Sequence, residues 1–149
     1  MTENTANTNT ADTTDIKSIP ATTLTGAPLD LHDFDGPLLI VNVASKCGLT
    51  PQYTALEQLQ KTYSTTDGTG LTVVGVPFPL LAKTDVNGED RDPLYQALTT
   101  TKDAEGEAGD IQWNFEKFLV SADGRVLNRF RPQTTPDDPA VIDAIEAAL

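Results

Sequence analysis

The sequence predicts an α/β domain in which a mixed β-sheet is flanked by helices. Two unbroken β-prone runs, at 37–44 and 71–76, stand on either side of a segment with helical periodicity, which is typical of a parallel βαβ unit. Two more β-prone runs near the C terminus are joined through Asp123-Gly124, a dipeptide typical of hairpin turns. The chain has 149 residues, 38% of them hydrophobic, which is enough for one domain with its own core.

The chain before the first long strand divides into a polar tail and a turn-rich segment. Residues 1–15 hold six Thr and three Asn but no Lys or Arg, so the basic start and apolar stretch of a secretory signal are missing. We expect a disordered tail over 1–15, a folded domain over 16–149 and a cytoplasmic protein. Residues 16–36 contain Thr, Gly and Pro at close intervals, which predicts short strands or a hairpin.

The first predicted helix follows the run at 37–44. Thr50 supplies a capping hydroxyl, Pro51 suits the first helical position, and the helix extends to Tyr63, before the DGTG sequence. The apolar face of this helix holds Tyr53, Leu56, Leu59 and Tyr63. The run at 71–76 is the next strand, and it completes the βαβ unit with a right-handed crossover.

The C-terminal half predicts a short helix, a loop, a hairpin and a last helix. Asp92-Pro93 starts the short helix, whose inward residues are Leu94, Tyr95 and Leu98. The polar and acidic stretch at 99–110 is expected to be an exposed loop. The hairpin consists of KFLVS and VLNRF, which flank Asp123-Gly124. Asp138-Pro139 caps the last helix, and its apolar stripe holds Val141, Ile145 and Leu149.

Charge and cysteine content exclude several classes of function. The net charge is -12, which repels nucleic-acid phosphates and anionic lipids, so we expect neither partner. No apolar run approaches the roughly 20 residues of a membrane-spanning helix. One Cys and one His cannot supply the about four ligands of a structural zinc site, and one Cys cannot form a disulfide within the chain.

Cys47 lies between the end of a predicted central strand and the first turn of a predicted helix. Reactive groups of open α/β sheets gather at this position. The free N–H groups of the helix N terminus and the charge of Lys46 favour a thiolate, which is the nucleophilic form. The alternative is that Cys47 is a small buried apolar residue, and its position alone does not decide between the two.

Four sequence blocks resemble the glutathione peroxidase family. The first, LLIVNVASKCGLTPQYTALEQLQKTY, is similar to the active-site segment of that family, and GLTVVGVP is similar to the strand that follows it. FPLLAKTDVNGEDRDPLYQAL and WNFEKFLVSADGRVLNRFRPQTTP resemble the third and fourth blocks, in the same order. Several long blocks in order are far more specific than one short motif.

The resemblance implies a thioredoxin-like fold and a catalytic site made of Cys47, Trp113 and Asn114. Cys47 would attack the O–O bond of a peroxide, and the other two residues would line the same pocket. The indole N–H and the Asn amide are hydrogen-bond donors that can stabilise a thiolate or the departing oxygen. Without the resemblance, Trp113 would be a core residue and Asn114 a turn residue.

One departure from the family pattern follows Pro77. The simplest alignment deletes on the order of thirty residues there, a whole crossover helix with its loop. The deleted interval contains the active-site Gln of the family, which has no counterpart here, and the segment that carries the resolving cysteine of thioredoxin-dependent members. We expect an impaired peroxidase activity, and an exposed apolar sheet face unless the helix that starts at Asp92-Pro93, or a partner, covers it.

The sequence therefore predicts an antioxidant thiol peroxidase that responds to oxidative stress and reduces hydrogen peroxide or organic hydroperoxides. Because a second thiol must come from outside the chain, we expect an external reductant of the glutathione or thioredoxin type and no cofactor or metal. The expected assembly is a monomer. Arg125, Arg129 and Arg131 are expected on an exposed strand face, or else on a surface that steers an anionic thiol. The alternative function is that of a truncated, non-enzymatic thiol sensor or partner-binding module.

Overall fold

The computed structural model of the chain describes residues 15–22, 27–41, 50–74, 93–103, 105–111 and 116–149. An antiparallel hairpin of β1 (Ala21–Thr22) and β2 (Pro28–Leu29) comes first, as the turn-rich sequence predicts. The main sheet consists of β3 (Leu38–Val41), β4 (Thr72–Val74), β5 (Lys117–Val120) and β6 (Val126–Phe130). The helices are α1 (Thr50–Tyr63), α2 (Pro93–Leu98) and α3 (Pro139–Ala148), and 3-10 helices cover Ile16–Ser18 and Leu31–Asp33.

The main sheet is mixed, and its strand order is β4-β3-β5-β6. β3 pairs in parallel with β4 and antiparallel with β5, which confirms both the mixed sheet and the βαβ unit through α1. All four residues of β3 are buried, as the unbroken apolar run predicts for a central strand. The hairpin of β5 and β6 is also confirmed, and its turn uses Gly124 at φ 93°, a backbone conformation that favours glycine.

The two faces of the sheet carry separate apolar clusters, because alternate residues of a strand point to opposite sides. Leu39 and Val41 of β3 face α1 and α3, whereas Leu38 and Ile40 face the other side. The first cluster also contains Leu56, Leu59, Leu71, Val73, Leu119, Phe130, Val141 and Ile145. The second cluster also contains Ile16, Leu31, Val74, Leu94, Tyr95, Leu98, Ile111, Phe118 and Val120.

The sheet face that the predicted deletion was expected to uncover is covered by α2. Leu94, Tyr95 and Leu98 of this short helix are buried in the second cluster, against the strands, as the sequence predicts for the inward side of α2. Ile16 and Leu31 from the two 3-10 helices complete the cover. In the part of the chain that the structure describes, the sheet therefore leaves no broad apolar surface in contact with water.

One core prediction is wrong. Leu149 was placed on the apolar stripe of the last helix, but α3 ends at Ala148 and Leu149 is 56% exposed. Val141 and Ile145 are fully buried, as predicted, because the helix still presents its first two turns to the sheet. The Asp138 carboxylate accepts a hydrogen bond from the Ala140 N–H, which confirms the predicted cap. None of the helices within the described ranges is long and apolar enough to cross a membrane.

Candidate active site

Three strand ends meet at one edge of the main sheet. Val41, the last residue of β3, is paired with Lys117, the first residue of β5. Ile40 of β3 is paired with Val74, the last residue of β4. The chain therefore leaves β3 and β4 and begins β5 at the same edge, which is where functional groups gather in open α/β sheets.

The three predicted catalytic residues, Cys47, Trp113 and Asn114, lie outside the described residues. Their neighbours in the chain do not: Cys47 follows Val41 by six residues, and Asn114 precedes Lys117 by three. The chain therefore leads from this edge into the segment with Cys47, and from the segment with Trp113 and Asn114 back to this edge. The arrangement of the three side chains stays a prediction.

The helix α1 starts at Thr50, nine residues after the last residue of β3 and three residues after Cys47 in the chain. The helix is 14 residues long, and it packs on the first cluster through Leu56 and Leu59. The free N–H groups at the start of a helix carry partial positive charge. A thiolate in the segment before Thr50 would gain from that charge.

A buried ion-pair network lies directly before β5, and the sequence interpretation missed it. The side chains of Glu116 and Arg129 have no exposed surface, and one Glu116 oxygen lies 2.5 Å from both Nε and Nη2 of Arg129. Arg131 Nη1 donates to the same oxygen at 2.9 Å. Burial works to lower the pKa of Arg129, and the Glu116 carboxylate opposes that effect.

The prediction that the three arginines lie on an exposed strand face is therefore wrong for two of them. Arg125 is exposed, but Arg129 pairs across the hairpin with Phe118, whose side chain is in the second cluster. The Arg129 guanidinium lies 5.1 Å from the centre of the Phe118 ring. The sequence does contain a signal for this burial, since Glu116 is the one acidic residue in the mostly apolar stretch 111–120.

Arg129 also binds the backbone of the acidic loop at 99–110. Its Nη1 donates to the carbonyl oxygens of Thr99 and Thr101, at 3.3 and 2.9 Å. Its Nη2 donates to those of Gly109 and Asp110, at 2.7 and 3.1 Å. The side chains at 105–110 are exposed as predicted, but the loop backbone is held against β6.

Asp103 closes the network on the solvent side. Arg131 Nε donates to its carboxylate at 2.8 Å, and the backbone N–H groups of Glu105 and Glu107 donate to its other oxygen. The hydrogen bond from Arg131, followed by those from the loop backbone, lowers the pKa of Asp103 to about 2. Arg129 and Arg131 are thus committed to internal partners, which argues against the predicted role in steering an anionic thiol.

Lys117 is a second buried cation, and it stands at the sheet edge itself. Its ammonium donates to the Thr134 carbonyl oxygen at 2.7 Å, and burial lowers its pKa to about 8. Cross-strand partners share a face of the sheet, so Lys117 lies on the same side as Val41, below α1 and α3. Perturbed ionisable groups cluster at functional sites, and this one lies at the edge that the predicted site would occupy.

A cavity of about 600 Å³ lies elsewhere, between α1 and α3. The described residues that line it are Thr54, Ala55, Gln58, Leu59, Thr62, Tyr63, Asp137 and Ile142. None of these residues is a cysteine, a histidine or a cation, so they offer no support for thiol chemistry.

Comparison with known proteins agrees with the topology. A family model described as glutathione peroxidase matches residues 16–78. Hydroperoxy fatty acid reductase Gpx2 of Synechocystis is 44% identical over 155 residues, covering 86% of this chain and 95% of that protein. The crystal structure of Trgpx in apo form superposes with a TM-score of 0.77 at 32% identity, covering 91% of this chain and 95% of that one.

The thioredoxin-like fold is confirmed by a more distant structure. A thioredoxin-family thiol:disulfide interchange protein from Chlorobium tepidum has a TM-score of 0.56 at 18% identity, covering 87% of this chain and 92% of that one. This likeness concerns the fold alone.

The alignment lengths also bear on the predicted deletion. The Synechocystis alignment runs over 155 positions, but 86% of the 149 residues is only about 128, so about 27 positions of that relative have no counterpart here. The family model stops matching at Phe78, directly after Pro77. Both the size of the gap and this end point agree with the predicted loss of about one helix and its loop. With a relative 44% identical over most of both chains, this protein belongs to the glutathione peroxidase family.

Proposed function

We propose that this chain is a thiol peroxidase in which Cys47 reduces hydroperoxides. The observation that carries the proposal is the pairing of Val41 with Lys117, because the segment with Cys47 follows Val41 in the chain and the segment with Trp113 and Asn114 precedes Lys117. Membership in the glutathione peroxidase family supports the same chemistry.

The proposed reaction is a two-electron transfer from sulfur to oxygen. The Cys47 thiolate attacks the terminal oxygen of the hydroperoxide, an S–O bond forms and the O–O bond breaks. The departing oxygen takes a proton and leaves as water or an alcohol, and Cys47 becomes a sulfenic acid. The Trp113 N–H and the Asn114 amide donate hydrogen bonds to the oxygen on which charge develops.

An external thiol returns the enzyme to its reduced state. The chain has one cysteine, so a first external thiol condenses with the sulfenic acid, releasing water, and a second thiol breaks the resulting disulfide. The thiol is of the glutathione or thioredoxin type, and the cycle uses no bound cofactor. The Synechocystis relative is a hydroperoxy fatty acid reductase, which supports an organic hydroperoxide as one substrate of this chain.

The proposal includes a cytoplasmic monomer. The single cysteine, which cannot form a disulfide within the chain, suits a reducing compartment and supports the location. The cover that α2 gives to the sheet supports the monomer, because the described strands need no partner chain to bury their side chains.

A thiol sensor without turnover is the second candidate, and the gap of about 27 positions favours it. A site that lacks the Gln donor of the family would oxidise slowly, and slow oxidation suits a sensor better than it suits rapid turnover.

Stopped-flow mixing of the reduced protein with hydrogen peroxide tests the proposal. We expect one thiol lost per chain, with one oxygen atom added at Cys47 by mass spectrometry, and peroxide consumption when glutathione or a thioredoxin system is supplied. The Cys47→Ser variant should consume none, and wild-type protein alkylated beforehand with iodoacetamide is the matched control. Peroxide consumption by Cys47→Ser would refute the mechanism, whereas oxidation of the wild type without turnover by either thiol would favour the sensor.

A further inference from the structure

One side chain, Arg129, binds described residues on both sides of the segment 112–115, which contains Trp113 and Asn114. On the N-terminal side, Arg129 Nη2 donates to the carbonyl oxygens of Gly109 and Asp110, at 2.7 and 3.1 Å. On the C-terminal side, Arg129 Nε donates to Glu116 at 2.5 Å. Residues 112–115 connect these two ends.

We call these contacts of Arg129 with Glu116, Gly109 and Asp110 the anchor, and its ion pair is shielded from water. Both charged side chains are completely buried, so their hydrogen bonds are charge-assisted and little screened by water. Arg131 reinforces each side, because its Nη1 donates to the Asp110 carbonyl oxygen at 3.2 Å and to Glu116 at 2.9 Å. Ile111 is buried in the second cluster, which fixes the N-terminal flank to the core as well.

A guanidinium is the group that this geometry needs. Its donors point in several directions from one plane, so a single side chain reaches a carboxylate and four carbonyl oxygens. A lysine ammonium would keep the charge but has three donors on one atom. The Arg129→Lys substitution therefore tests whether the positive charge is sufficient or whether the several donors of a guanidinium are needed.

We propose that Arg129, acting with Glu116, is a positioning residue for the peroxidase reaction: it sets where Trp113 and Asn114 stand relative to Cys47. The inference rests on the proposed function. Asn114 is two residues from Glu116 in the chain. Because so few residues separate them, a shift of Glu116 should also shift the Asn114 amide. A misplacement of about 1 Å at a reacting group can cost about a hundredfold in rate.

Two anchor variants and one matched control test the proposal. Arg129→Lys retains the charge, and the double variant Glu116→Met/Arg129→Met removes the pair without leaving a lone buried charge. Arg125→Lys is the control, because it makes the same change on the same hairpin at a side chain that is 61% exposed. Circular dichroism under the assay conditions selects folded protein.

Two readouts distinguish positioning from general stability. The rate of Cys47 oxidation by hydrogen peroxide should fall by about tenfold to a hundredfold in both anchor variants, while alkylation of Cys47 by iodoacetamide changes by less than about threefold. Because Trp113 is the one tryptophan in the sequence, intrinsic fluorescence reports on this segment. We expect stronger acrylamide quenching in the anchor variants than in Arg125→Lys and the wild type.

The outcomes separate this proposal from the proposed function. If the wild type does not react with peroxide, the proposed function fails and this inference fails with it. If the wild type reacts and folded anchor variants match it in peroxide rate and in quenching, only the positioning role is overturned. Equal losses of the peroxide and alkylation rates would also overturn it, because they would show a general disturbance of the Cys47 segment.

Discussion

Removal of the Glu116 carboxylate, in Glu116→Met, leaves Arg129 charged in a site with no exposed surface. The reverse variant, Arg129→Met, removes the buried guanidinium at 2.5 Å from the carboxylate and leaves the more exposed Arg131, at 2.9 Å. A buried charge that loses its partner cannot recover its hydration, so each single variant should be strongly destabilised. The double variant Glu116→Met/Arg129→Met removes both charges and fills the space with apolar side chains.

The expected size of the effect follows from the burial of the pair. Breaking a fully buried ion pair costs about 3–5 kcal/mol, a large part of the roughly 5–15 kcal/mol by which a domain is stable. At this chain length about 1 kcal/mol corresponds to roughly 2–4 °C in melting temperature, so each single variant should melt roughly 6–20 °C lower. The double variant should be no less stable than either single variant, because apolar replacement of a buried pair is often neutral.

Urea denaturation followed by circular dichroism measures the free energy of unfolding of the four proteins in a double-mutant cycle. Arg131 keeps its 2.8 Å contact with Asp103 in every variant, so the cycle isolates the Glu116–Arg129 pair from that contact. A double variant that loses the sum of the two single losses would refute the reasoning, since it would show that the side chains stabilise the fold independently of each other.

Three further predictions concern pH, salt and the donors. Burial lowers the pKa of Lys117 to about 8, whereas the pKa of a lysine in the unfolded chain is about 10.4. Between these two pH values the unfolded chain binds more protons than the folded protein. The free energy of unfolding should therefore increase as the pH rises above about 8. Urea titrations at about pH 7 and 9.5 should show a smaller rise for Lys117→Met, and an unchanged rise would contradict the assignment. The net charge of -12 repels anionic glutathione, and salt screens this repulsion. The rate of turnover with glutathione should therefore increase with ionic strength, whereas the rate with neutral dithiothreitol should not change. A glutathione rate that falls with added salt would instead indicate a cationic docking surface. Trp113→Phe and Asn114→Ala should each slow peroxide oxidation by roughly tenfold to a thousandfold, and unchanged rates in folded variants would return these residues to packing and turn roles.

Much of the fold was predictable because its signals are local. The run that forms β3 is apolar at every position, which requires burial on both faces and therefore a central strand. The periodicity of α1 and the Asp123-Gly124 turn each act over a few residues. The resemblance to the glutathione peroxidase family, and the deletion after Pro77, were also visible in the order of the sequence blocks.

The candidate site was predictable in its residues and not in its surroundings. Cys47, Trp113 and Asn114 came from their sequence blocks, and they lie outside the residues that the structure describes. The structure adds the pairing of Val41 with Lys117, the strand ends that flank these segments in the chain. It also shows that α2 covers the sheet face next to the predicted deletion, which the sequence left open.

The sequence by itself determined the fold class, the family and the residues of the predicted site. Only the tertiary structure decided the burial of Arg129 and Lys117, which a sequence pattern assigns to the surface because isolated charges are costly to bury. Arg129 avoids that cost through a carboxylate 13 residues away in the chain and carbonyl oxygens 19 to 30 residues away. Those partners meet only when β5 pairs with β6 and the loop at 99–110 closes over the hairpin. Local propensity carries no information about contacts at that separation, so folding of the whole domain decides them.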